Sequence, residues 1–462
     1  MTARLISSIR IEGLFGLYTY SVPPKGELAN AAILYGDNGV GKSTVLRLAF
    51  HLLSAAHNRG HRSALYEAEF ECLEVALASG VRLTAQVVER DPFKVLSLAV
   101  FKGQKRLAVW DYRPRAGRGY VDEETIYIEE SESGRRVVRK INASPRRKEL
   151  EGVPQGEQAY LTALQRHVPT LFILNADRRL DSDSVSDPSD EVELRRSMQY
   201  GEPKRINELV VRSREIALSQ ALSAAARWIS RKAVIGTNQG STNVHSVYGD
   251  VLRKIVSPTR RSTTPDLESG VDMPELLDKL AMIDSKSAEH ARYELATHLT
   301  TKDFRRALSG RSAKSALAAE LLQPYIQSLE SRLDAVEPIY QLIDRFVTIV
   351  NSLLSDKTIT FKLSQGFSIQ NRLGVSLGPA QLSSGEQQLL LLFCYVLTAR
   401  DVPTVFMIDE PEISLNIKWQ RQLVQSLLDI TDGASIQFIL ASHSMELLAQ
   451  HRSRVVKLEN QS

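Results

Sequence analysis

Apolar and polar residues alternate in two different ways along this chain. In the two terminal parts, apolar residues form short runs of the length of β-strands. From about Pro203 to Ser355 they recur every three or four residues, which is typical of helices with one buried face. The pattern therefore predicts strand-rich parts at 1–200 and 356–462, separated by a helical insertion at 201–355.

The N-terminal part is predicted to contain many strands and one early helix. YTYSV and NAAILYG have strand character, STVLRLAFHLLSAAH has helical periodicity, and the region from FECLEVAL to KRLAVWDY alternates regularly. This alternation predicts an antiparallel layer attached to a second sheet. Farther along, TLFILNADRRL predicts a core strand that ends at Asn175. The acidic segment DSDSVSDPSDEVELRRS then predicts a loop, because it has too few apolar residues to bury a core.

The helical insertion is predicted to be compact. Its helical segments are interrupted by SPTRRSTTPDLESG, whose prolines, glycine and serines are typical of a loop. No heptad repeat is sustained long enough to predict an extended coiled-coil arm.

Composition narrows the class of protein without deciding it. The chain has 462 residues, of which 43% are apolar and 24% charged, as in ordinary globular proteins. No apolar run approaches a membrane span, and the N-terminal one is too short for a signal peptide, so we expect a cytoplasmic location. Cys72 and Cys394 indicate neither disulfides nor a zinc site. The net charge of +4 is small, so contacts with nucleic acid would require a local basic patch.

The segment ILYGDNGVGKSTVLRLAF carries the first candidate chemistry. It follows the pattern G-x-x-x-x-G-K-[ST] between a predicted strand and a predicted helix, the context of a phosphate-binding loop. Glycines let consecutive N–H groups surround an anion at the positive helix end, the lysine reaches terminal phosphates, and the serine hydroxyl holds Mg²⁺. The alternative is a glycine-rich turn. The predicted nucleotide-binding residues are Gly36, Asn38, Gly39, Gly41, Lys42, Ser43 and Thr44.

A second candidate anion site begins at Gln381, in QLSSGEQQLLLLFCYVL. The Ser383 hydroxyl and the N–H groups of Ser384 and Gly385 are placed at the start of an apolar helix, where anions bind. The alternative is a simple turn at Gly385.

Two predicted buried strands near the C-terminus end in polar residues. TVFMIDEPEISLN delivers Asp409 and Glu410, which predicts one carboxylate for Mg²⁺ and one for a water molecule, and IQFILASHS delivers His443. Because parallel strands end on one sheet edge, we expect these residues to share a site. Taken singly, the acids also fit a solvated strand end, and a lone histidine is more commonly structural. The order of all the motifs, each with its correct flanking element, favours one site.

In these motifs the chain resembles the ABC-type ATPase heads of SMC, Rad50 and RecF proteins and of OLD-like AAA ATPases. GDNGVGKST resembles a Walker A motif, LSSGEQQLLLL a signature motif, MIDEPEISLN a Walker B motif with its D-loop, and ASHS a histidine switch. The resemblance covers the two ends of the chain, whereas roughly residues 100–355 carry little of it. It implies an α/β fold, a P-loop NTPase with a mixed sheet and an antiparallel β layer, plus the helical insertion domain.

The resemblance also implies ATP and Mg²⁺ as cofactors and a head-to-head homodimer or higher oligomer. In such a dimer, ATP is sandwiched between Walker A of one subunit and the signature of the other. The implied roles are general base for Glu410, magnesium ligands for Asp409 and Ser43, γ-phosphate sensor for His443, and phosphate contacts in trans for Ser383 and Gly385.

Two parts of the family pattern have no clear counterpart. Asn416 lies where the D-loop of transporter ATPases usually has aspartate. For the Q-loop, Gln86 fits by residue type, and Asn175, in the sequence NADRR, fits by its place after a core strand.

Two elements that the sequence does not predict narrow the choice among these families. A long coiled coil is not predicted, and too few residues follow His443 for the TOPRIM domain of OLD nucleases. In both respects the chain is similar to the ATPase subunits of two-gene anti-phage systems, the PARIS ATPase and the Septu or retron-associated PtuA ATPase. This resemblance implies an oligomeric sensor and scaffold that controls a separate toxic nuclease of TOPRIM or HNH type, with a phage protein or damaged nucleic acid as trigger.

Two alternatives stay open at this point. A RecF-like DNA-repair ATPase would place the basic segment Arg135–Lys148 and the pair Arg260 and Arg261 on DNA phosphates, although no aromatic residues interleave to stack bases. A module that holds ATP without turnover is the other, but it would not need the Glu410 carboxylate.

Overall fold

The computed structural model describes residues 4–57, 59–90, 93–114, 126–130, 136–140, 154–174, 180–182, 203–241, 273–308, 313–413 and 415–461. The chain divides into two compact units, Met1–Glu202 with Ala399–Ser462, and Pro203–Thr398. The helical insertion was predicted to end at 355, whereas the second unit continues to Thr398. The reason is packing, because the strands and the helix between 357 and 398 contact the long helices of the insertion.

A mostly parallel sheet forms the centre of the first unit. Its strands lie in the order β11-β10-β15-β16-β3-β17, and all neighbours are parallel except β10 and β11. The two central strands that carry continuous apolar runs are buried along their whole length. The bounds are β3 (Ala31–Tyr35), β10 (Thr170–Leu174), β11 (Leu180–Ser182), β15 (Thr404–Asp409), β16 (Ile436–Ala441) and β17 (Val455–Lys457).

The predicted antiparallel layer is confirmed as a second sheet of the first unit. Its strands follow the order β2-β1-β4-β5-β6-β7, and every neighbouring pair is antiparallel. The bounds are β1 (Ile6–Leu14), β2 (Tyr18–Val22), β4 (Cys72–Leu77), β5 (Val81–Arg90), β6 (Phe93–Lys102) and β7 (Lys105–Tyr112). A separate antiparallel pair is formed by β8 (Ile126–Glu130) and β9 (Arg136–Lys140).

The core of the first unit joins the two sheets. The helix α1 (Lys42–Leu53) contacts strands of both, and its apolar residues pack in one cluster with side chains from each sheet. Removing this apolar surface from water stabilises the unit at about 25 cal/mol per Å². The remaining helices of the unit are α2 (His61–Glu67), α3 (Glu157–His167), α9 (Ile417–Ile430) and α10 (Met445–Gln450), with short 3₁₀ turns at Ala399–Asp401 and Arg452–Arg454.

A buried amide also connects the two sheets. Gln437 of β16 is fully buried, and its Oε1 accepts hydrogen bonds from the N–H groups of Leu5 and Ile6 at 3.1 and 2.7 Å. Its Nε2 donates to the carbonyl oxygens of Ile6 and Ala29 at 2.9 and 3.0 Å. All hydrogen-bonding groups of this amide are therefore satisfied inside the core, as burial of a polar side chain requires.

The second unit consists of helices with one small sheet. The predicted long periodic segments form α4 (Pro203–Ser241) and α7 (Ala313–Leu353), which pack on each other. Gly236 makes this approach close, because a Cβ atom there would lie 2.8 Å from the carbonyl oxygen of Ala335. The other elements are α5 (Met273–Ala291), α6 (Lys302–Leu308), α8 (Ser384–Thr398), a 3₁₀ turn at Pro379–Gln381, and the strands β12 (Lys357–Lys362), β13 (Gly366–Asn371) and β14 (Ser376–Leu377).

In the part of the chain that the structure describes, no helix combines the length and the apolar character needed to cross a membrane.

Candidate functional site

Three segments of the first unit meet at the carboxyl edge of the parallel sheet. Gly36 follows β3, Glu410 follows β15 and Ser442 follows β16. The sheet pairing continues into these segments, because the Glu410 N–H donates to the Ala441 carbonyl at 2.8 Å and the Ser442 N–H donates to the Leu34 carbonyl at 3.1 Å. The structure thus brings the predicted phosphate loop, the two acids and His443 to the same edge.

The shape of the phosphate loop depends on glycine. Gly39 and Gly41 have φ angles of 86° and 90°, in the left-handed region that other residues rarely adopt. A Cβ atom at position 41 would also lie 2.9 Å from Cδ2 of Leu14. Both the backbone conformation and the space around it therefore select glycine at the end of the loop.

The start of α1 is suited to an anion. Gly41 provides no side-chain cap, and the first turn contains no acidic residue, so the helix N–H groups are left to a ligand. Lys42 is only 7% exposed, and its Nζ donates to the carbonyl oxygens of Gly36 and Asp37 at 2.7 and 2.9 Å. The ammonium group is thus held at the loop with its third proton available for a phosphate oxygen. Asn38 is exposed and Thr44 is partly buried in the same segment.

The side chains of Ser43 and Asp409, which were predicted as magnesium ligands, contact each other. Ser43 Oγ donates a hydrogen bond to Asp409 Oδ1 at 2.7 Å. Burial raises the pKa of Asp409, the neighbouring acids Glu410 and Glu412 add to the rise, and the Ser43 hydrogen bond opposes it. A hydroxyl and a carboxylate are oxygen ligands of the kind that Mg²⁺ prefers, and its charge would offset the cost of ionising Asp409 here.

Glu410 is held in an unusual backbone conformation. Its φ angle is 49°, in the left-handed region, although it is not glycine. Such a conformation costs about 1–3 kcal/mol and is found mostly where a site requires it. Its side chain is 30% exposed, so the carboxylate is accessible to solvent water.

His443 lies beside two carboxylates rather than one. Its Nδ1 is 3.6 Å from Glu410 Oε1 and 3.5 Å from Glu412 Oε1. Sequence reasoning assigned no role to Glu412, although the acid in the DEPE sequence signalled a third carboxylate at this strand end.

The predicted second anion site is the start of α8 in the second unit. Ser383 caps the helix, because its Oγ accepts from the Glu386 N–H at 3.4 Å and its own N–H donates to Glu386 Oε2 at 2.7 Å. Lys357 Nζ donates to both Glu386 oxygens at 2.9 Å. Burial opposes the ionisation of Glu386, but the hydrogen bonds from Lys357 and Ser383 outweigh it and lower the pKa of Glu386. Ser383 and Ser384 are exposed, whereas Gly385 is buried.

The structure describes two of the three residues considered for the D-loop and the Q-loop. The Asn416 side chain accepts a hydrogen bond from the Trp419 N–H at 2.9 Å and caps α9, which gives asparagine a structural reason at this position. Gln86 is an exposed residue of β5, opposite Cys72 in the antiparallel sheet. Asn175 lies outside the described residues, as do Arg260 and Arg261 and most of the basic segment 135–148, of which only strand β9 is described.

Comparisons with known proteins find similarity to parts of this chain. Residues 275–449, which include Ser383, Asp409, Glu410 and His443, match a family described as "AAA domain, putative AbiEii toxin, Type IV TA system". The ATP-binding protein LolD of the lipoprotein-releasing system of Cereibacter sphaeroides is 37% identical over 81 residues, which are 18% of this chain and 34% of LolD. The molybdenum import ATP-binding protein ModC of Escherichia coli is 35% identical over 82 residues, 18% of this chain and 22% of ModC.

Among solved structures, the Smc head domain of Pyrococcus furiosus with an extended coiled coil, bound to the C-terminal domain of ScpA, aligns over 99% of this chain and 96% of that one. Its TM-score is 0.34 and its sequence identity 13%. The Smc head domain of Pyrococcus yayanosii with a coiled coil and joint gives the same TM-score of 0.34, also at 13% identity.

The family and sequence matches support an ATP-binding protein of the ABC or AAA type. The two sheets and the phosphate loop give the chain the fold of a P-loop ATPase, α/β with a mixed sheet and an antiparallel layer. The curated relatives share only a minor part of their own length with this chain, so their transport activities are not carried over.

The raised pKa of Asp409 predicts that its ionised form lowers the stability of the nucleotide-free protein, so that stability depends on pH. Since the folded protein binds this proton more tightly than the unfolded chain, stability from Asp409 is present at low pH and is lost as the pH rises through the raised pKa. We expect Asp409→Asn to raise the melting temperature by a few degrees at about pH 7, with a gain that shrinks toward about pH 4.

Calorimetry without nucleotide or metal measures this difference, with Asp278→Asn, on an exposed part of α5, as the control. A melting temperature that is equal or lower in Asp409→Asn at neutral pH would contradict the prediction.

Proposed function

We propose that this protein binds ATP with Mg²⁺, hydrolyses it, and does so with two copies closed around the nucleotide. The observation that carries the proposal is the meeting, at one sheet edge, of an uncapped helix start, the Ser43–Asp409 pair and the Glu410 carboxylate. An anion site, an oxygen-ligand pair for a divalent cation and a carboxylate accessible to water are the groups that phosphoryl transfer to water requires.

Each group has a separate task in this mechanism. The N–H groups at the start of α1 and the Lys42 ammonium bind the terminal phosphates, and Ser43 and Asp409 hold the cation. When bound, Mg²⁺ supplies charge neutralisation on the phosphate oxygens. Glu410 orients a water molecule and takes its proton, a role for which its partial exposure is needed. His443 contacts the γ-phosphate side of the site.

The second anion site is proposed to act on the nucleotide of the other copy. The capping box of Ser383 and Glu386 fixes the start of α8, and Lys357 neutralises the acid that would otherwise repel a phosphate. The exposed Ser383 hydroxyl can then donate to a phosphate oxygen while its oxygen still caps the helix. Gly385 contributes its N–H group to the same site.

Glu410→Gln is expected to bind ATP normally and to lower kcat by about 10²–10⁴-fold, because the amide cannot take the proton from water. Glutamine keeps the size of the side chain and leaves Asp409 and Lys42 in place. ATP and Mg²⁺ should therefore produce a stable dimer of this variant, measured by light scattering after gel filtration. Glu459→Gln, at an exposed pair with Lys457, is the matched control. Wild-type turnover in Glu410→Gln would exclude Glu410 as the base.

A mixing experiment tests the action in trans. Lys42→Ala and Ser383→Arg should each be nearly inactive alone. When they are mixed in equal amounts, turnover should return to roughly a quarter of wild type, because half of the pairs are mixed and each mixed pair has one intact site. Lys42→Ala mixed with Glu410→Gln should show no recovery, because those two residues belong to the site of one copy. Equal turnover in both mixtures would rule out a shared site.

The proposed role in the cell is control of a separate toxic nuclease in anti-phage defence. Its support is the resemblance of the motifs to the OLD-like AAA ATPases of bacterial defence systems, together with a matched family whose description names a putative toxin of a type IV TA system. The second unit, with its two long helices, is proposed as the surface for that partner or for the trigger.

This role predicts a stoichiometric nuclease that co-purifies with the Glu410→Gln protein from its native host when ATP and Mg²⁺ are kept present. Mass spectrometry identifies what is bound, with Lys42→Ala as the nucleotide-free control. Recombination proteins and DNA without a nuclease would instead support the RecF-like alternative.

A further inference from the structure

The Glu412 carboxylate is fixed by the turn that carries His443. Its Oε1 accepts hydrogen bonds from the Ser442 hydroxyl at 2.8 Å and from the N–H groups of His443 and Ser444 at 3.0 and 3.1 Å. The side chain is only 7% exposed. Burying a carboxylate costs free energy unless it is paired, so these donors explain how Glu412 is tolerated there.

The same carboxylate has one oxygen that could still accept a hydrogen bond. Oε2 of Glu412 is buried and has no hydrogen-bond partner among the described residues. A buried polar oxygen without a donor is uncommon in folded proteins and is often found where a site has a further function. The imidazole of His443 lies beside this carboxylate, with Nδ1 3.5 Å from the other oxygen, Oε1.

His443 cannot bond to both neighbouring acids through this nitrogen. Nδ1 can carry at most one proton, and it lies 3.5 Å from Glu412 and 3.6 Å from Glu410. The two acids differ in mobility, because Glu412 is anchored by three hydrogen bonds and Glu410 has a side chain that is 30% exposed. An anchored, buried carboxylate holds a ring in place better than an exposed one.

We propose that Glu412 is a positioning residue for His443. It accepts the Nδ1–H of the imidazole, fixes the ring and leaves Nε2 as the ring atom available to the phosphate. Because the Nδ1–H donates to Glu412, it does not donate to Glu410. The lone pairs of Glu410 then stay available for water. The proposal rests on the proposed ATPase function for its kinetic consequences, but the contact between Glu412 and His443 can be tested without nucleotide.

A neighbouring contact provides a matched structural control. Gln420 Oε1 accepts from the Ser444 hydroxyl at 2.7 Å, and its Nε2 donates to the Leu415 carbonyl at 2.9 Å. Nε2 also donates to the backbone carbonyl of Glu412 at 3.4 Å, so Gln420 supports the same turn through its backbone and through Ser444 and leaves the Glu412 carboxylate and the imidazole to each other. Loss of Gln420 should affect His443 only through general loosening of the turn.

The kinetic test is a double-mutant cycle on kcat. Glu412→Ala should lower kcat by about 10- to 100-fold with little change in the affinity for ATP, and Glu412→Gln, which keeps an acceptor oxygen, should cost less. In a His443→Ala background, neither change should lower kcat further, because the residue acts through the ring. Gln420→Ala, which leaves the Glu412 carboxylate in place, should lower kcat less than Glu412→Ala does. Equal losses from Glu412→Gln and Glu412→Ala in both backgrounds would overturn the proposal.

The second test is nitrogen-15 NMR of histidine-labelled protein without nucleotide. His443 is assigned by the signals missing in His443→Ala. We expect a proton on Nδ1 in the wild type and in Gln420→Ala, and shifted ring signals in Glu412→Gln, which is the variant closest in shape and therefore the one expected to fold. Ring signals that are unchanged in Glu412→Gln would overturn the positioning role. If the wild type fails to hydrolyse ATP, the proposed function is wrong, and this spectrum still decides the proposal.

Discussion

The alignment of three parallel strands is the constraint on which the candidate site depends. Asp409 pairs with Ala441, and Ala441 pairs with Leu34, so β15, β16 and β3 end at one level. Side chains alternate between the two faces of a strand, so a shift of one residue would turn Asp409 away from Ser43. The alignment is maintained by buried packing, in which Phe406 stacks on Phe172 and Phe438 with ring centroids 4.8 and 5.6 Å apart. The packing of the core therefore also determines where the side chains of the candidate site lie.

The site also shows how a protein holds several acids close together. Asp409, Glu410 and Glu412 lie within four residues, yet each has a different environment. Asp409 is buried and accepts a hydrogen bond from a serine hydroxyl, and Glu410 is partly exposed at a left-handed backbone position. Glu412 is buried and accepts three hydrogen bonds. Differences in solvation and hydrogen bonding separate the tasks of chemically similar groups.

The parts of this structure that follow from local pattern could be predicted from the sequence. The phosphate loop follows from its glycines and lysine, and the common edge follows from buried apolar runs that end in polar residues. The antiparallel layer follows from regular alternation. The contact between Glu412 and His443 could not be predicted, because it depends on how the turn after Glu410 folds back toward the next strand. The extent of the second unit also does not follow from local pattern, because it depends on which long helices the segment 357–398 packs against.

Gly236 has a mechanical consequence for the second unit. A glycine inside a helix lowers its stability by about 1 kcal/mol relative to alanine, but here it lets α4 and α7 meet at backbone distance. Since the carbonyl oxygen of Ala335 lies against this gap, any larger residue at position 236 would push the two helices apart. The 39 residues of α4 span about 60 Å as a helix. Over that length, position 236 is therefore one point that decides how near the two long helices of the second unit can come to each other.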